Sequence, residues 1–297
     1  MATTTETRSD IYQRVTGKII EFLEAGSSLC EQLWDRGPNK LPLRMNGERY
    51  RGINTVMLWV EAMERGYRLP HWSTYKQAKI LGGQVRKGET GSLVVYADTF
   101  IKTVEDKETG KEEDIELPFL KGYTVFNASQ IDGLPAKYYA IPEFKAMEHP
   151  QRLIEADAFV RNTGAQVIEE GFRAAYSPAR DVILMPPLES FRDRDSFYSV
   201  TLHELTHWTG AKGRLDRLHI ADKASDEYGR EELVAELGAA FLCSSLEITP
   251  TVREDHAAYL SSWLRVLKSD KRAIFAAAAQ AQKAADYLHG LQPKPAA

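Results

Sequence analysis

SVTLHELTHWTG, residues 199–210, is the stretch on which the reading of this chain turns. His203 and His207 stand four residues apart, one turn along a single helix face, so both imidazoles can reach one cation at metal–nitrogen distances of about 2.0–2.1 Å. Glu204 follows the first histidine and is placed to take a proton from an attacking water. The helix is predicted over Asp195–Thr209, with Gly210 as its stop. A catalytic cation needs three protein ligands and an open fourth position. An H-x-x-G-x-x-H continuation would supply a third histidine at position 213, but that position is Gly213, so this solution fails.

The other common solution is a glutamate from the next helix, predicted from Asp226 to about Leu246. It contains Gly229-Arg230-Glu231-Glu232-Leu233-Val234-Ala235-Glu236-Leu237. Glu232 and Glu236 are four apart and share a face, while Leu233, Leu237 and Ala240 can pack toward the core. Glu232 is assigned as the third ligand, and Glu236 as the partner that fixes the tautomer of a ligand histidine. Glu231 competes for the ligand role, and His219 is a remoter candidate. HExxH plus Glu is a gluzincin pattern. It calls for Zn, although Mn or Co could also use a His₂Glu set. Ala175–Pro187 sits where zincin folds place the edge strand that aligns a peptide. Tyr176, Tyr198 and Tyr228 are the candidates for a donor to the tetrahedral oxyanion.

The 297 residues suffice for two domains, and 43% hydrophobic against 27% charged residues is ordinary globular composition. A net charge of −4 excludes a uniformly basic nucleic-acid binder. Cys30 and Cys243 lie outside any C-x-x-C pattern, which fits a reducing compartment. The N-terminus MATTTETRSD has no apolar core of a signal peptide, and no run approaches ~18 apolar residues. The expectation is a cytoplasmic protein without a membrane partner.

Ahead of the metal motif, helices are predicted over about Ser9–Ala25, Ile53–Arg65, Ser73–Leu81 and Pro150–Thr163. Ser92–Thr99 and Phe119–Phe126 read as strands. Glu105–Glu116, with seven acidic residues and two lysines, reads as an exposed hairpin tip or loop. Asp132–Pro150 is the candidate domain junction. Short β segments are expected around Gln166–Glu169 and Val182–Met185, and an alanine-rich helical tail over Thr251–Leu288. There is no internal repeat.

Between Arg36 and Lys102 twelve Lys/Arg face five Asp/Glu, with aromatic residues interleaved. Tyr50 lies between Arg49 and Arg51, Trp72 and Tyr75 lie beside Lys76 and Lys79, and Arg86-Lys87 follows. A cationic groove with stacking rings is what non-specific single-strand binding requires, each stacked base contributing ~1–3 kcal/mol. The plain alternative is that Trp72 and Tyr75 belong to the core and the charges to a solvated face.

Both halves resemble the ArdC family of plasmid antirestriction proteins. In the first half the resemblance rests on Arg49-Tyr50-Arg51-Gly52-Ile53-Asn54, Trp72-Ser73-Thr74-Tyr75-Lys76-Gln77-Ala78, Val85-Arg86-Lys87-Gly88-Glu89 and Val125-Phe126-Asn127. In the second it rests on Asp181-Val182-Ile183-Leu184-Met185-Pro186, the HELTH string with Trp208-Thr209-Gly210, and Glu231-Glu232-Leu233-Val234-Ala235-Glu236. It implies an α+β chain of two domains: a single-stranded-DNA-binding domain over 1–135, a linker over 136–149, and a zincin-like metallopeptidase domain over 150–297. It adds Asn54 to the DNA-binding candidates, through the first of these motifs. It further implies carriage on conjugative plasmids and shielding of incoming plasmid DNA from the recipient's restriction enzymes. The partners would be single-stranded DNA and a host restriction enzyme or other DNA-bound protein. Two other functions stay open: a regulatory or repair metallopeptidase that cuts a DNA-bound protein or repressor, and a DNA-binding shield whose metal is structural.

Overall fold

The computed structural model describes residues 8–25, 41–105, 112–140, 149–218, 225–248 and 256–293. The expectations for Cys30, for the basic run 36–40 and for His219 fall outside these residues, as do the acidic residues 106–111 and positions 141–148 of the candidate junction.

Helix α1 (Arg8–Glu24) buries Ile11, Val15, Ile19, Phe22 and Leu23, the i, i+4 stripe of an amphipathic helix. The strands β1 (Leu43–Arg44), β2 (His71–Ser73), β4 (Ser92–Glu105) and β5 (Glu112–Asn127) form a sheet in the order β1-β2-β5-β4. A separate two-stranded sheet pairs β3 (Gln84–Val85) with β6 (Ile131–Asp132). Interleaved with these strands in the chain are α2 (Ile53–Arg65) and the short α3 (Tyr75–Ile80), which opens on a capping box formed by Thr74 and Gln77. The β4–β5 ladder is longer than the sequence predicts. Pairing continues from Ser92↔Val125 to Glu105↔Glu112, so much of the acidic segment is strand. Backbone hydrogen bonding alone can extend a ribbon through a highly charged segment.

The second half comprises α4 (His149–Asn162), β7 (Gln166–Glu169), β8 (Ala175–Ser177) and β9 (Val182–Met185), followed by α5 (Arg194–Thr209) and α6 (Asp226–Leu246). The helices α7 (His256–Ser269) and α8 (Ala273–Gly290) complete it. The strand order is β7-β9-β8, so β8 is an edge strand, antiparallel to β9. Side chains set both starts of the central helix pair: Asp193 accepts from the Ser196 N–H at 2.7 Å, and Ser225 Oγ from the Tyr228 N–H at 3.1 Å.

The largest core is common to both halves. Val56, Met57, Trp59 and Val60 of α2 belong to the same cluster as Leu205 of α5, Phe241 of α6 and Ala277, Ala278 and Ala281 of α8. The Trp59 and Phe241 rings approach to 5.7 Å. Across this junction the Gly52 N–H donates to Gln282 Oε1 at 3.0 Å, Arg51 pairs with Asp286, and Thr16 Oγ1 donates to the Lys271 carbonyl at 2.7 Å. Among the described residues no helix is long and apolar enough to cross a membrane.

Candidate metal centre

Helices α5 and α6 can approach closely because α6 carries Gly238 where it meets α5. A Cβ there would lie 2.5 Å from Thr206 Cγ2 and 2.8 Å from Thr206 Oγ1. The Thr206 hydroxyl is fixed in turn by donating to the Leu202 carbonyl at 2.9 Å. This contact lies beside His207 on α5 and Glu236 on α6, and it brings the two motifs together.

His203, His207 and Glu232 are the three groups gathered there, with one ligand atom from each lying within 4.8 Å of the others. Glu232 Oε2 is 3.5 Å from His203 Nε2, and Glu232 Oε1 is 3.6 Å from His207 Nε2. Those separations are long for hydrogen bonds. Two ligands at about 2.1 Å from one tetrahedral ion stand roughly 3.4 Å apart, so the donor set fits a divalent cation. The far side of each ring meets a carboxylate: His203 Nδ1 is 3.2 Å from Glu236 Oε2, and His207 Nδ1 is 3.1 Å from Glu231 Oε1. An Nδ1–H donated to a carboxylate leaves the Nε2 lone pair for metal.

The electrostatics follow from this crowding. Burial resists ionisation of Glu232, but the two facing imidazoles overcome it and hold the carboxyl well below its usual range. Burial likewise disfavours the charged form of His207, yet the Glu231 and Glu232 carboxylates raise its pKa to about 10. A cation would take the place of that proton.

Glu204, also buried, is anchored from outside the helix: its Oε2 accepts the Tyr176 backbone N–H at 2.8 Å. That amide belongs to edge strand β8, so the strand and the carboxylate are held in register. Of the three tyrosines, Tyr176 donates its hydroxyl to Asp181 at 2.7 Å and accepts from Arg214 Nη2 at 2.9 Å. Burial and the Asp181 bond push its pKa up to about 12. Tyr198 is buried in the main core. Tyr228 is half-buried and stands one turn before Glu232 on α6, sharing its face.

The basic N-terminal residues divide into two groups. Trp72 is 2% exposed and Tyr50 7%, both packed with Leu58, Val94 and Val125, so neither ring can stack on a base. This corrects the sequence reading: Trp72 lies on β2, an inner strand of the sheet, and Ser73 beside it is buried as well. Asn54 is also committed, its side-chain amide bonding the Val95 carbonyl at 2.8 Å and the Val95 N–H at 2.7 Å on the outer edge of β4. Arg51 is drawn to Asp286, and Arg86 braces a turn through Glu89, Asp132 and the Ser129 carbonyl. The second group remains at the surface: Arg49, Tyr75 (48% exposed), Lys76, Lys79 and Lys87. Sequence reasoning missed the part of Glu231 beside His207 and that of the β8 backbone beside Glu204, because both depend on contacts between separate elements.

Residues 9–126 match the N-terminal domain of the anti-restriction factor ArdC, and residues 154–280 match a zincin-like metallopeptidase family. The chain is similar to the antirestriction protein ArdC of plasmid R388, solved metal-free, with 50% identity, a TM-score of 0.79, and coverage of 95% of this chain and 97% of that one. The Mn(II)-bound form of that protein gives 48% identity and a TM-score of 0.77, covering 95% and 98%. An uncharacterized protein of Sinorhizobium fredii is 40% identical over 97% of this chain and 94% of its own length. The DNA primase TraC of Escherichia coli is 35% identical over 97% of this chain, which spans 28% of that primase.

Proposed function

This chain belongs to the ArdC family of antirestriction proteins, and from that premise we propose that it binds single-stranded DNA of a conjugative plasmid and protects it from restriction enzymes in the recipient cytoplasm. Residues 1–135 would bind the DNA and residues 150–297 would carry a metal-dependent, peptidase-like site. The observation that carries the second part is the meeting of His203, His207 and Glu232 beside an anchored Glu204.

A divalent cation held there would act as a Lewis acid toward a peptide carbonyl and the attacking water. Zn is the first choice from the donor set, and Mn or Co would also serve. Glu204 acts as the general base. The Tyr176 amide fixes its carboxylate through Oε2. Glu236 and Glu231 orient the two imidazoles. Tyr228, on the Glu232 face, supplies the hydroxyl donor for the oxyanion. An extended segment of a DNA-bound protein would lie against edge strand β8, whose Tyr176 N–H is already held by Glu204. The DNA surface comprises Arg49, Tyr75, Lys76, Lys79 and Lys87, where phosphate neutralisation and stacking are both available.

The test is Glu204→Gln, which keeps the shape of the site. Metal content and fold should match the parent, while cleavage of any protein target stops. If this variant protects transferred DNA as well as the parent does, antirestriction does not proceed through proteolysis. A DNA-binding shield with a structural ion is then the better reading, and the burial of His203, Glu204 and Glu232 favours it. Affinity for a labelled single strand should fall steeply as salt is added. A salt-independent signal would remove the DNA assignment.

A further inference from the structure

The chain that follows α5 turns back over the metal helix. Arg217 and Leu218 both donate backbone N–H groups to the Gly210 carbonyl at 2.9 Å. A Cβ on residue 210 would lie 2.8 Å from Leu218 Cγ and 3.1 Å from the Arg217 side chain. The last residue of the SVTLHELTHWTG string keeps a right-handed backbone (φ −79°), so its glycine serves the returning loop, which a side chain there would block.

Closure places the Arg217 guanidinium between α5 and α6, with only 8% of the side chain exposed. Nε donates to Glu231 Oε2 at 3.1 Å and Nη2 to Glu231 Oε1 at 3.1 Å, a two-pronged grip on the carboxylate. Nη1 donates to Thr209 Oγ1 at 2.8 Å, and Nη2 also reaches the Thr206 carbonyl. Glu231 Oε1, held in this way, is the atom that faces His207 Nδ1. Glu204, Glu231, Glu232 and Glu236 crowd around the same centre, and Arg217 is the cationic side chain that balances the one beside His207.

We infer that Arg217 is a positioning residue of the metal centre: through Glu231 it fixes His207 in the ring orientation and tautomer that leave Nε2 for a divalent cation. The inference rests on the metal-centre reading proposed above.

The experiment is a double-mutant cycle on the full chain, read as Zn(II) affinity by competition with a chelating indicator and as the His207 imidazole signals in the NMR spectrum. Arg217→Met and Glu231→Gln should each weaken Zn(II) binding about 10- to 100-fold. Because one residue acts through the other, the double variant should bind little worse than either single one. The His207 Nδ1–H resonance should shift or broaden in both. Arg217→Lys retains the charge without the two-pronged grip, and should weaken binding even if Arg217→Met fails to fold. Parental affinity in the folded Arg217 variants overturns the inference, as do losses that simply add. If the parent chain itself binds no Zn(II), the metal-centre reading fails with it.

Discussion

His207 holds the proton that a cation must displace. Its pKa of about 10 reflects two carboxylates overcoming the cost of burial. Between pH 7 and 9, metal uptake should therefore expel a proton from the site, and affinity should rise with pH by up to about tenfold per unit until the imidazole is neutral. Calorimetric titrations in two buffers of different ionisation enthalpy would read this release directly, and identical heats would refute it. Without a cation the same group, raised above its ordinary value of 6.5, contributes stability that is complete below that value. The contribution is lost as pH climbs through about 10. The paired histidines were legible in the sequence because their spacing is local to one helix. The pairing of Glu236 with a ligand histidine was legible as well; which ring it meets, and the part of Glu231 beside the other ring, was not, since both depend on contacts between separate helices.

The crossing of α5 and α6 governs the site at the level of elements. Gly238→Ala would drive a methyl into Thr206, whose hydroxyl is already committed. The expected cost is ~1–3 kcal/mol of stability, with weaker metal binding as Glu232 draws away from the histidines. Thermal melts with and without Zn(II) would check both. Equal metal-dependent stabilisation in parent and variant would show that the crossing does not set the ligand geometry. Strand β2 and helix α3 make a contrasting pair. Trp72→Ala should destabilise the chain by ~3–5 kcal/mol because the ring is core. Tyr75→Ala should leave the melting temperature close to the parent's and weaken single-strand affinity by ~1–3 kcal/mol. Replacing Lys76 and Lys79 should flatten the salt dependence by about one unit of slope each. An unchanged slope would move the DNA surface elsewhere. Helix positions were readable because stops and apolar periodicity are local signals, as at Gly210 and along Ile11–Phe22. The split between buried and exposed aromatics was not. A ring between two basic residues reads alike whether the fold buries it or leaves it exposed.

Across the whole molecule, the shared core sets the limits. The Ile11, Val15 and Ile19 face of α1 and the Val56, Met57 and Trp59 face of α2 belong to one cluster with α6, α7 and α8. A fragment ending at residue 135 would uncover part of that surface. Losing even ~3 kcal/mol would lower its melting temperature by roughly 10 °C relative to the full chain. Dye binding to exposed apolar surface and a broadened transition would confirm this, and a sharp melt at the parent's temperature would refute it. The same interlock bears on how such chains can recombine. A crossover between two relatives near residue 140 would join halves whose facing surfaces had drifted independently, leaving Trp59 without its matched Phe241 and Gly52 without its Gln282. Working hybrids should then be recovered only when α1, α2, α6 and α8 descend from one parent, so that inheritance follows the packing rather than the order of the chain.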